Sequence, residues 1–127
     1  MGKMKDLIID RMNAEKQFSK IKFKEWTCYV VATYYTTEDR KAILLIDTDD
    51  NQSVAVATVN MSGYPCKDNQ VYIKNYSENT GILECLIDHG ILLSQPVSKL
   101  QNKFVKVPLM QLTPEALNLW VGTDNKN

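Results

Sequence analysis

The sequence lacks the residue patterns on which most small catalytic and metal-binding domains depend. It contains five glycines, three cysteines and one histidine in 127 residues. The cysteines are widely spaced and none belongs to a C-x-x-C pair, which excludes a zinc ribbon and a disulfide scaffold on spacing grounds. No glycine-rich phosphate loop, G-x-S-x-G motif or H-x-E motif with paired cysteines occurs. We therefore predict a non-enzymatic protein that needs no cofactor or metal.

The sequence also lacks a long apolar run and an excess of either charge. No 18-residue apolar stretch is present, and residues 1–12 are charged every few positions, so neither a membrane span nor a signal peptide is predicted. A cytoplasmic location is the expectation. Lysine plus arginine and aspartate plus glutamate each number 15. The resulting zero net charge argues against a protein that binds nucleic acid mainly by neutralising phosphates.

The charges are nevertheless spread unevenly along the chain. Residues 3–24 hold six lysines and one arginine against three acidic residues. Residues 38–50 hold one arginine and one lysine against five acidic residues, namely Glu38, Asp39, Asp47, Asp49 and Asp50. Separated charges allow a charged partner to steer association even when the net charge is zero. Two ordinary solvated surfaces are the plainer interpretation.

An amphipathic helix is predicted at the N-terminus. From Lys3 to about Lys20, apolar residues recur near the 3.6-residue period of a helix, with charged residues between them. Such a stripe usually packs on its own domain and less often docks a partner. We interpret residues 1–22 as a helical extension, residues 23–122 as a single α+β domain and residues 123–127 as a frayed tail.

The domain is predicted to contain one small antiparallel sheet. Aromatic and β-branched residues after Ile21 indicate a strand. Residues 42–47 and 53–60, joined by the turn formers of residues 48–52, indicate a hairpin, and residues 71–76 indicate a further strand.

Short strands are predicted again after residue 90, over residues 91–93, 96–97 and 104–109. Pro96 and Pro108 favour positions at sheet edges or strand ends, because proline cannot donate a backbone hydrogen bond.

Two short helices complete the predicted fold. Residues 77–80 offer several N-cap oxygens and Gly90 suits a left-handed cap, which together predict a middle helix from about Asn79 to His89. Thr113 followed by Pro114 predicts the start of a C-terminal helix that ends by Gly122.

One cluster of acidic residues resembles a metal site in part. Asp47, Asp49 and Asp50 begin like a calcium-binding loop, since alternating oxygens suit a hard cation. Gln52 stands where that loop needs glycine, and Thr58 stands where it needs glutamate. A solvated hairpin turn is therefore the better interpretation.

The single histidine, His89, would have to take part in any Ser-His-Asp or Cys-His scheme. It falls in the last turn of the predicted middle helix, where the helix dipole favours a cationic imidazole. Cys85 lies four residues upstream among apolar residues and is predicted to be buried and inert. Neither residue is expected to be catalytic.

Aromatic residues offer a different kind of binding surface. Six tyrosines and two tryptophans occur. With neighbouring lysines they would suit a stacking platform for single-stranded nucleic acid. Such side chains more often line a core or a protein-binding surface. Protein binding is the leading prediction and nucleic-acid binding is the alternative.

Two segments resemble a family of small proteins carried by bacterial plasmids, conjugative elements and phages. Residues 57–65 (ATVNMSGYP) are similar to the family's TVN…YP loop. Residues 68–84 (DNQVYIKNYSENTGILE) are similar to its V-(F/Y)-I-K-(D/N)-Y-S-E-N-x-G-(M/I)-L strand-to-helix turn. The likeness covers roughly residues 26–112 and leaves out residues 1–22. Asn75 stands where the family often has aspartate.

The shared segment carries expectations about local structure. Tyr76 is expected to close a strand, and the side chains of residues 77–80 are expected to cap the helix that follows. Gly81 is expected to let the backbone pass closely at that point.

The resemblance also implies a biological setting. Small proteins on such elements often inhibit host defence, so the expected function is that of a protein-binding inhibitor of a host defence nuclease, of the anti-CRISPR type, in the cytoplasm of a bacterial host. A nucleic-acid-binding accessory or regulatory protein is the alternative. In the first case, carboxylates would stand in for phosphates. The predicted partner-binding residues are five acidic residues and two tyrosines: Glu38, Asp39, Asp47, Asp49, Asp50, Tyr64 and Tyr76.

Overall fold

A computed structural model describes residues 7–9, 20–101 and 105–120 of the chain, with the backbone alone described for residues 7–9 and 101. Within these residues the fold is α+β, as predicted. The strands are β1 (Leu7–Ile9), β2 (Ile21–Phe23), β3 (Trp26–Tyr35), β4 (Lys41–Asp47), β5 (Ser53–Val56), β6 (Gln70–Tyr72), β7 (Ser98–Gln101) and β8 (Lys106–Gln111). The α-helices are α1 (Ile82–Asp88) and α2 (Pro114–Leu117), and 3-10 turns occupy Ser77–Asn79 and Asn118–Trp120.

The larger sheet is built around β3, the longest strand described. β3 pairs with β4 from Cys28 opposite Asp47 to Tyr34 opposite Lys41, and β4 pairs in turn with β5. On the other edge of β3, β2 pairs with its beginning and β1 pairs with its end. All of these pairings are antiparallel, which confirms the strand after Ile21 and the β4–β5 hairpin.

A second, three-stranded sheet has the order β6-β8-β7. It meets the larger sheet at a single bridge between Thr58 and Ile73. On the two sides of that bridge, the Val59 N–H donates to the Tyr72 carbonyl at 3.0 Å and the Lys74 N–H donates to the Ala57 carbonyl at 2.9 Å. The single small sheet that the sequence predicts is thus two sheets joined at one point.

Pro108 lies inside β8, the middle strand of the second sheet, and the prediction that it marks an edge or a strand end is wrong. Its carbonyl accepts a hydrogen bond from the Ile73 N–H at 3.0 Å. Proline has no N–H with which to return that bond. The paired part of β6 consequently ends at Tyr72, opposite Leu109.

The N-terminal helix is wrong at residues 7–9, which form β1 and pair with residues 33–35 of β3. Leucine and two isoleucines suit a strand as well as a helix, and the free edge of β3 supplies backbone partners that hydrophobic periodicity does not reveal. The rest of that predicted helix, apart from Lys20, lies outside the described residues, as does the tail at 123–127.

The main core fills one face of the larger sheet, between that sheet and the two helices. Its members include Ile21, Phe23, Ile43, Leu45, Ile73, Ile82, Leu86, Met110, Leu112, Leu119 and Trp120. A smaller cluster packs on the second sheet and contains Tyr72, Val107 and Leu109, with Val59, Met61 and Tyr76 against it.

Helix α1 begins in a different way from the prediction. Its N-cap residue is Gly81, and no side chain of residues 77–80 caps it. The Asn75 Oδ1 accepts hydrogen bonds from the Gly81 N–H at 3.1 Å and the Leu83 N–H at 3.0 Å. Glycine is needed at position 81 because φ there is +97°, a conformation that residues with a Cβ rarely adopt. Lack of space is not the reason, since no atom lies within 4 Å of the position that a Cβ would take. The expected close passage of the backbone at Gly81 is therefore wrong.

The other helix ends agree with the sequence. Gly90 follows α1 with a left-handed φ of +80°. The Thr113 Oγ1 accepts from the Ala116 N–H at 3.0 Å, with Pro114 in the first turn of α2. The same hydroxyl donates to the Gly90 carbonyl at 2.7 Å, so it connects the end of α1 with the start of α2.

Candidate functional site

The five acidic residues predicted to bind a partner lie at opposite ends of β4. Glu38 and Asp39 belong to the turn between β3 and β4, whereas Asp47, Asp49 and Asp50 lie at the turn between β4 and β5. The seven residues of β4 separate the two groups by roughly 20 Å. That distance exceeds the Debye length of about 8 Å at physiological ionic strength, so the two groups do not act as one acidic surface.

The carboxylates of the β4–β5 turn bond to their own backbone. The Asp47 Oδ1 accepts from the Asp49 N–H at 2.8 Å, and the Asp50 Oδ1 accepts from the Gln52 N–H at 3.0 Å. Asn51 takes a left-handed φ of +61° between them. These contacts confirm the hairpin turn that the sequence indicates. Across the described ranges, no group of three or more His, Cys, Asp or Glu side chains is placed to hold a metal ion.

Arg40 organises the opposite end of β4. Its Nη1 donates to the Met61 carbonyl at 2.8 Å, and its Nη2 donates to the Tyr64 carbonyl. Its Nε lies 3.6 Å from the Glu38 Oε1. The guanidinium is a planar fork of donors that suits several acceptors at once. One arginine therefore fixes the loop of residues 60–69, which we call the 60–69 loop, to the β3–β4 turn.

Further hydrogen bonds hold the 60–69 loop along its length. The Tyr72 hydroxyl donates to the Pro65 carbonyl at 2.7 Å. The Lys67 N–H donates to the Gln70 Oε1 at 2.9 Å, and the Leu112 N–H donates to the Asn69 carbonyl at 2.8 Å. The loop is thus attached both to the β3–β4 turn and to the second sheet.

Tyr64 is the aromatic residue that this loop presents to solvent. Its residue surface is 48% exposed, and among the described large apolar residues only Leu93 and Val97 are grouped with it as exposed. Its N–H donates to the Met61 carbonyl at 3.0 Å, while Gly63 between them takes a φ of +89°. The backbone that carries the exposed ring is therefore fixed on both sides of the turn.

A cleft of about 210 Å³ separates the β3–β4 turn from the 60–69 loop. Its lining combines three acidic residues, three basic residues and a cysteine: Glu38, Asp39, Asp68, Arg40, Lys41, Lys67 and Cys66. The charges of the lining cancel, which suits a polar protein surface better than a phosphate mimic.

Cys66 is the thiol in the lining of that cleft. Burial raises the pKa of the Cys66 thiol, although Arg40 and Lys41 act in the opposite direction. The Sγ lies 3.2 Å from the Gln70 carbonyl as a donor. A protonated, hydrogen-bonded thiol is a poor nucleophile, so the geometry supports a structural role for Cys66.

Tyr76 differs from Tyr64 although both are predicted partner-binding residues. Tyr76 is half-buried and packs against the smaller hydrophobic cluster. The Lys74 Nζ lies 5.7 Å from the centroid of its ring, within the range of a cation–π contact. Packing of the second sheet accounts for Tyr76, and Tyr64 remains as the exposed ring.

Cys85 and His89 lie close together on α1, but their contacts are with the backbone. The His89 Nδ1 is 2.9 Å from the Cys85 carbonyl oxygen, so this nitrogen carries the proton and donates it. It therefore cannot accept a proton from the Cys85 Sγ, which lies 3.9 Å away and donates to the Lys22 carbonyl at 3.3 Å. Burial, and then the charge of Asp88, raise the pKa of Cys85, which is the reverse of what a nucleophile requires.

Two residues of the segments that resemble the mobile-element family, Thr58 and Asn79, form hydrogen bonds with the larger sheet. The Thr58 Oγ1 lies 2.9 Å from the Tyr35 hydroxyl oxygen and accepts from the Ile43 N–H at 3.3 Å. The Asn79 Nδ2 donates to the Val56 carbonyl at 2.8 Å. These contacts, with the Asn75 cap, fix where the 60–69 loop begins and where α1 starts.

Arg40 is the residue that sequence reasoning missed. In the sequence it counts only as a positive charge among acidic neighbours. Its two carbonyl partners lie 21 and 24 residues further along the chain, and backbone carbonyls leave no trace in a sequence pattern. An arginine in a short turn between two strong strands is the only available signal.

No protein-family model, curated protein or solved structure matches this chain. Of the helices in the described residues, none has the length and apolar character needed to cross a membrane.

Proposed function

We propose that this protein is a non-enzymatic, protein-binding inhibitor encoded by a mobile element, and that it occupies a functional surface of a host defence nuclease of the RNA-guided type. The binding surface is formed by Tyr64 and the mixed-charge cleft beside it. One observation carries the proposal: the half-exposed ring of Tyr64 stands on a loop whose Met61 and Tyr64 carbonyls are both held by Arg40.

An exposed aromatic side chain on a fixed loop has the properties of an interface anchor. Tyrosine contributes a large contact area and a hydroxyl while losing the freedom of only two side-chain torsions. A loop that is already ordered before binding avoids the entropy cost of ordering it at the interface. Charges of both signs in the lining of the cleft, such as Asp39 and Lys67, select the orientation of the partner more than they add affinity.

The inhibitor acts through the exposed ring of Tyr64 and the cleft beside it, and not by imitating a nucleic acid. The carboxylates of Asp47 and Asp50 bond to the backbone of their own turn, and that turn lies at the far end of β4 from Tyr64. The setting in host defence rests on the resemblance of residues 57–65 and 68–84 to proteins of mobile elements.

The test is a plasmid-interference assay in bacteria that express an RNA-guided nuclease against the incoming plasmid, repeated over a panel of such nucleases. The wild-type chain should restore transformation for at least one nuclease. Tyr64→Ala should lose most of that restoration at equal soluble expression, because an interface anchor contributes about 2 kcal/mol or more. The matched control is the double variant Asp49→Asn with Asp50→Asn, which should restore transformation like wild type.

Two results would count against the proposal. Wild type that restores transformation for no nuclease in the panel contradicts the inhibitor function. A Tyr64→Ala variant that restores transformation fully, while the aspartate variant does not, places the binding surface at the β4–β5 turn instead.

A second candidate function, binding of nucleic acid, has one observation in its favour. The Lys20 Nζ lies 5.7 Å from the centroid of the Tyr29 ring, and the exposed Lys22 and Lys24 follow on β2 and just after it. Lysines beside an aromatic ring are the elements of a stacking surface. The purified protein should shift neither single- nor double-stranded DNA at low salt, and a shift that Lys20→Ala and Lys22→Ala together abolish would favour this alternative.

A further inference from the structure

Tyr64 and the cleft beside it are by themselves too small a surface for a stable complex. A specific protein–protein interface buries about 800 Å² on each partner and draws on roughly 20–30 residues of each. Tyr64 and the seven residues that line the cleft make eight. If they bind a partner protein, neighbouring surface has to take part.

Leu93 and Val97 are, with Tyr64, the large apolar residues that are exposed in the described part of the chain. Leu93 is 41% exposed and Val97 is 46% exposed. Every residue from 93 to 98 is exposed and none is charged, and we call this stretch the 93–98 segment. The centre of a protein interface is depleted of charged residues, whereas its rim is polar. The 93–98 segment matches such a centre, and the charged cleft matches a rim.

Backbone hydrogen bonds place the 93–98 segment next to the 60–69 loop. The peptide group that joins Gln111 and Leu112 is bonded on both sides. Its carbonyl accepts from the Leu93 N–H at 2.9 Å, and its N–H donates to the Asn69 carbonyl at 2.8 Å. Neighbouring strands lie about 4.8 Å apart, so the backbones of Asn69 and Leu93 are within roughly 10 Å of each other.

Leu93 lies on the face of the second sheet on which the 60–69 loop packs. Leu92 is opposite Leu112, and both belong to the main core. Because side chains alternate along an extended chain, Leu93 faces the other side of the sheet, which carries the smaller cluster. Met61 and Cys66 of the loop pack against that cluster. Leu93 and the loop therefore share one face.

Val97 continues this surface along β8. Its N–H donates to the Leu109 carbonyl at 2.8 Å, two residues before the Gln111 carbonyl that accepts from Leu93. Residues two apart on one strand are separated by about 7 Å, so Leu93 and Val97 follow one another along the same side of β8. At the other end of the surface, Asp68 lines the cleft directly before Asn69. The cleft and the 93–98 segment are thus continuous.

We propose that the 93–98 segment belongs to the interface with the host nuclease. Leu93 and Val97 receive an uncharged, apolar part of that partner, while the cleft receives the charged side chains beside it. This inference rests on the proposed function and specifies the chemistry of the partner surface, an apolar patch bordered by charges of both signs.

Binding of the purified chain to a nuclease that it inhibits tests the proposal. The double variant Leu93→Ser with Val97→Ser should raise the Kd at least tenfold, because two apolar side chains are no longer removed from water at the interface. Lys99→Ala is the matched control. Lys99 is exposed on β7 opposite Pro108, on the other face of the second sheet, and its replacement should change the Kd by less than about twofold.

Three results overturn the proposal, and they differ in what they leave standing. A double variant that binds as tightly as wild type removes the 93–98 segment from the interface, while weaker binding by Tyr64→Ala in the same assay keeps the proposed function. A wild-type dimer that the double variant dissociates, as measured by light scattering, assigns the segment to a second copy of this chain. If wild type binds no nuclease of the panel, the proposed function fails and this inference fails with it.

A measurement on the wild-type chain guards against a double variant that fails to fold. In a complex of the deuterated, methyl-labelled chain with the protonated nuclease, saturation of the nuclease should transfer to the methyl groups of Leu93 and Val97. It should not reach those of Leu83, which is half-buried on α1. Absence of transfer to Leu93 and Val97 overturns the proposal.

Discussion

The two turns at the ends of β4 have similar acidic sequences, but their side chains form hydrogen bonds with partners at very different separations in the sequence. In the β4–β5 turn, Asp47 accepts a hydrogen bond from the N–H of a residue two positions away. In the β3–β4 turn, Arg40 donates to the carbonyls of Met61 and Tyr64, which lie more than 20 residues away in the sequence. The first turn stabilises itself, whereas the second fixes a remote loop and the exposed ring on it. Charge composition alone does not distinguish a self-contained turn from one that organises a binding surface.

Of the side chains in the two turns, Arg40 bonds to the residues most distant in the sequence, and we expect its replacement to have the largest effect on stability. Arg40→Ala should lower the free energy of unfolding by about 2–3 kcal/mol, because it leaves two carbonyl acceptors without a charged donor. The measurement is urea denaturation followed by circular dichroism. Lys67→Ala, an exposed cation in the same cleft, is the control and should change stability by less than about 0.5 kcal/mol. Equal losses of stability for Arg40→Ala and Lys67→Ala would contradict the role given to Arg40 in fixing the 60–69 loop.

A smaller effect is expected at the other turn. Asp47→Ala should cost about 1 kcal/mol, since it removes one local hydrogen bond to the Asp49 N–H. Asp47→Asn should keep most of the stability, because its amide oxygen can accept the same bond. If the asparagine variant loses as much as the alanine variant, the negative charge is what matters at this position, and the turn is not the self-contained unit described above.

The smallest expected effect is a difference in reactivity between two cysteines, one near each end of β4. Burial, and then the charge of the neighbouring Asp47, raise the pKa of Cys28 from 9.0 to about 11. Burial also raises the pKa of Cys66, but Arg40 and Lys41 oppose that shift. A higher pKa leaves less reactive thiolate at a given pH. As the pH rises from 8, iodoacetamide should therefore modify Cys66 before Cys28, as measured by peptide mass spectrometry.

The same shift has a consequence for stability. A thiol whose pKa is raised by folding keeps its proton where the unfolded chain loses it, so the stabilisation is complete below pH 9 and declines as the pH rises towards 11. Replacement of Cys28 by alanine should flatten this decline. Modification of Cys28 ahead of Cys66 would show that the two ends do not differ in the way described.

Much of the fold follows from local signals in the sequence. The β4–β5 hairpin, the Thr113 cap and the left-handed Gly90 all depend on residues within a few positions of one another, and the structure confirms each of them. The α+β class follows from the same signals. Local signals do not suffice where a residue distant in the sequence decides the conformation.

The errors share that cause. Residues 7–9 pair with the end of β3, which a helical period cannot show. Pro108 is tolerated in a middle strand because its carbonyl alone is used on the β6 side. The cap of α1 comes from Asn75, six residues before Gly81, and not from the nearer oxygens of residues 77–80.

The candidate site is likewise predictable from the sequence only in part. Tyr64 is among the predicted partner-binding residues and is exposed. The two acidic groups are also predicted, but the length of β4 holds them apart. The role of Arg40 was not predictable, because its partners are backbone carbonyls on a loop whose position depends on the joining of two sheets.

Amide hydrogen exchange in wild type and Arg40→Ala tests the central claim, that Arg40 holds the backbone beneath Tyr64. The Tyr64 N–H donates to the Met61 carbonyl at 3.0 Å, and the Asn51 N–H donates to the Asp47 carbonyl at 2.9 Å in the self-contained turn. Exchange at Tyr64 should accelerate by roughly a hundredfold in the variant, the equivalent of about 2.7 kcal/mol of local stability, while exchange at Asn51 stays near its wild-type rate. Equal rates at Tyr64 in both proteins would contradict the account.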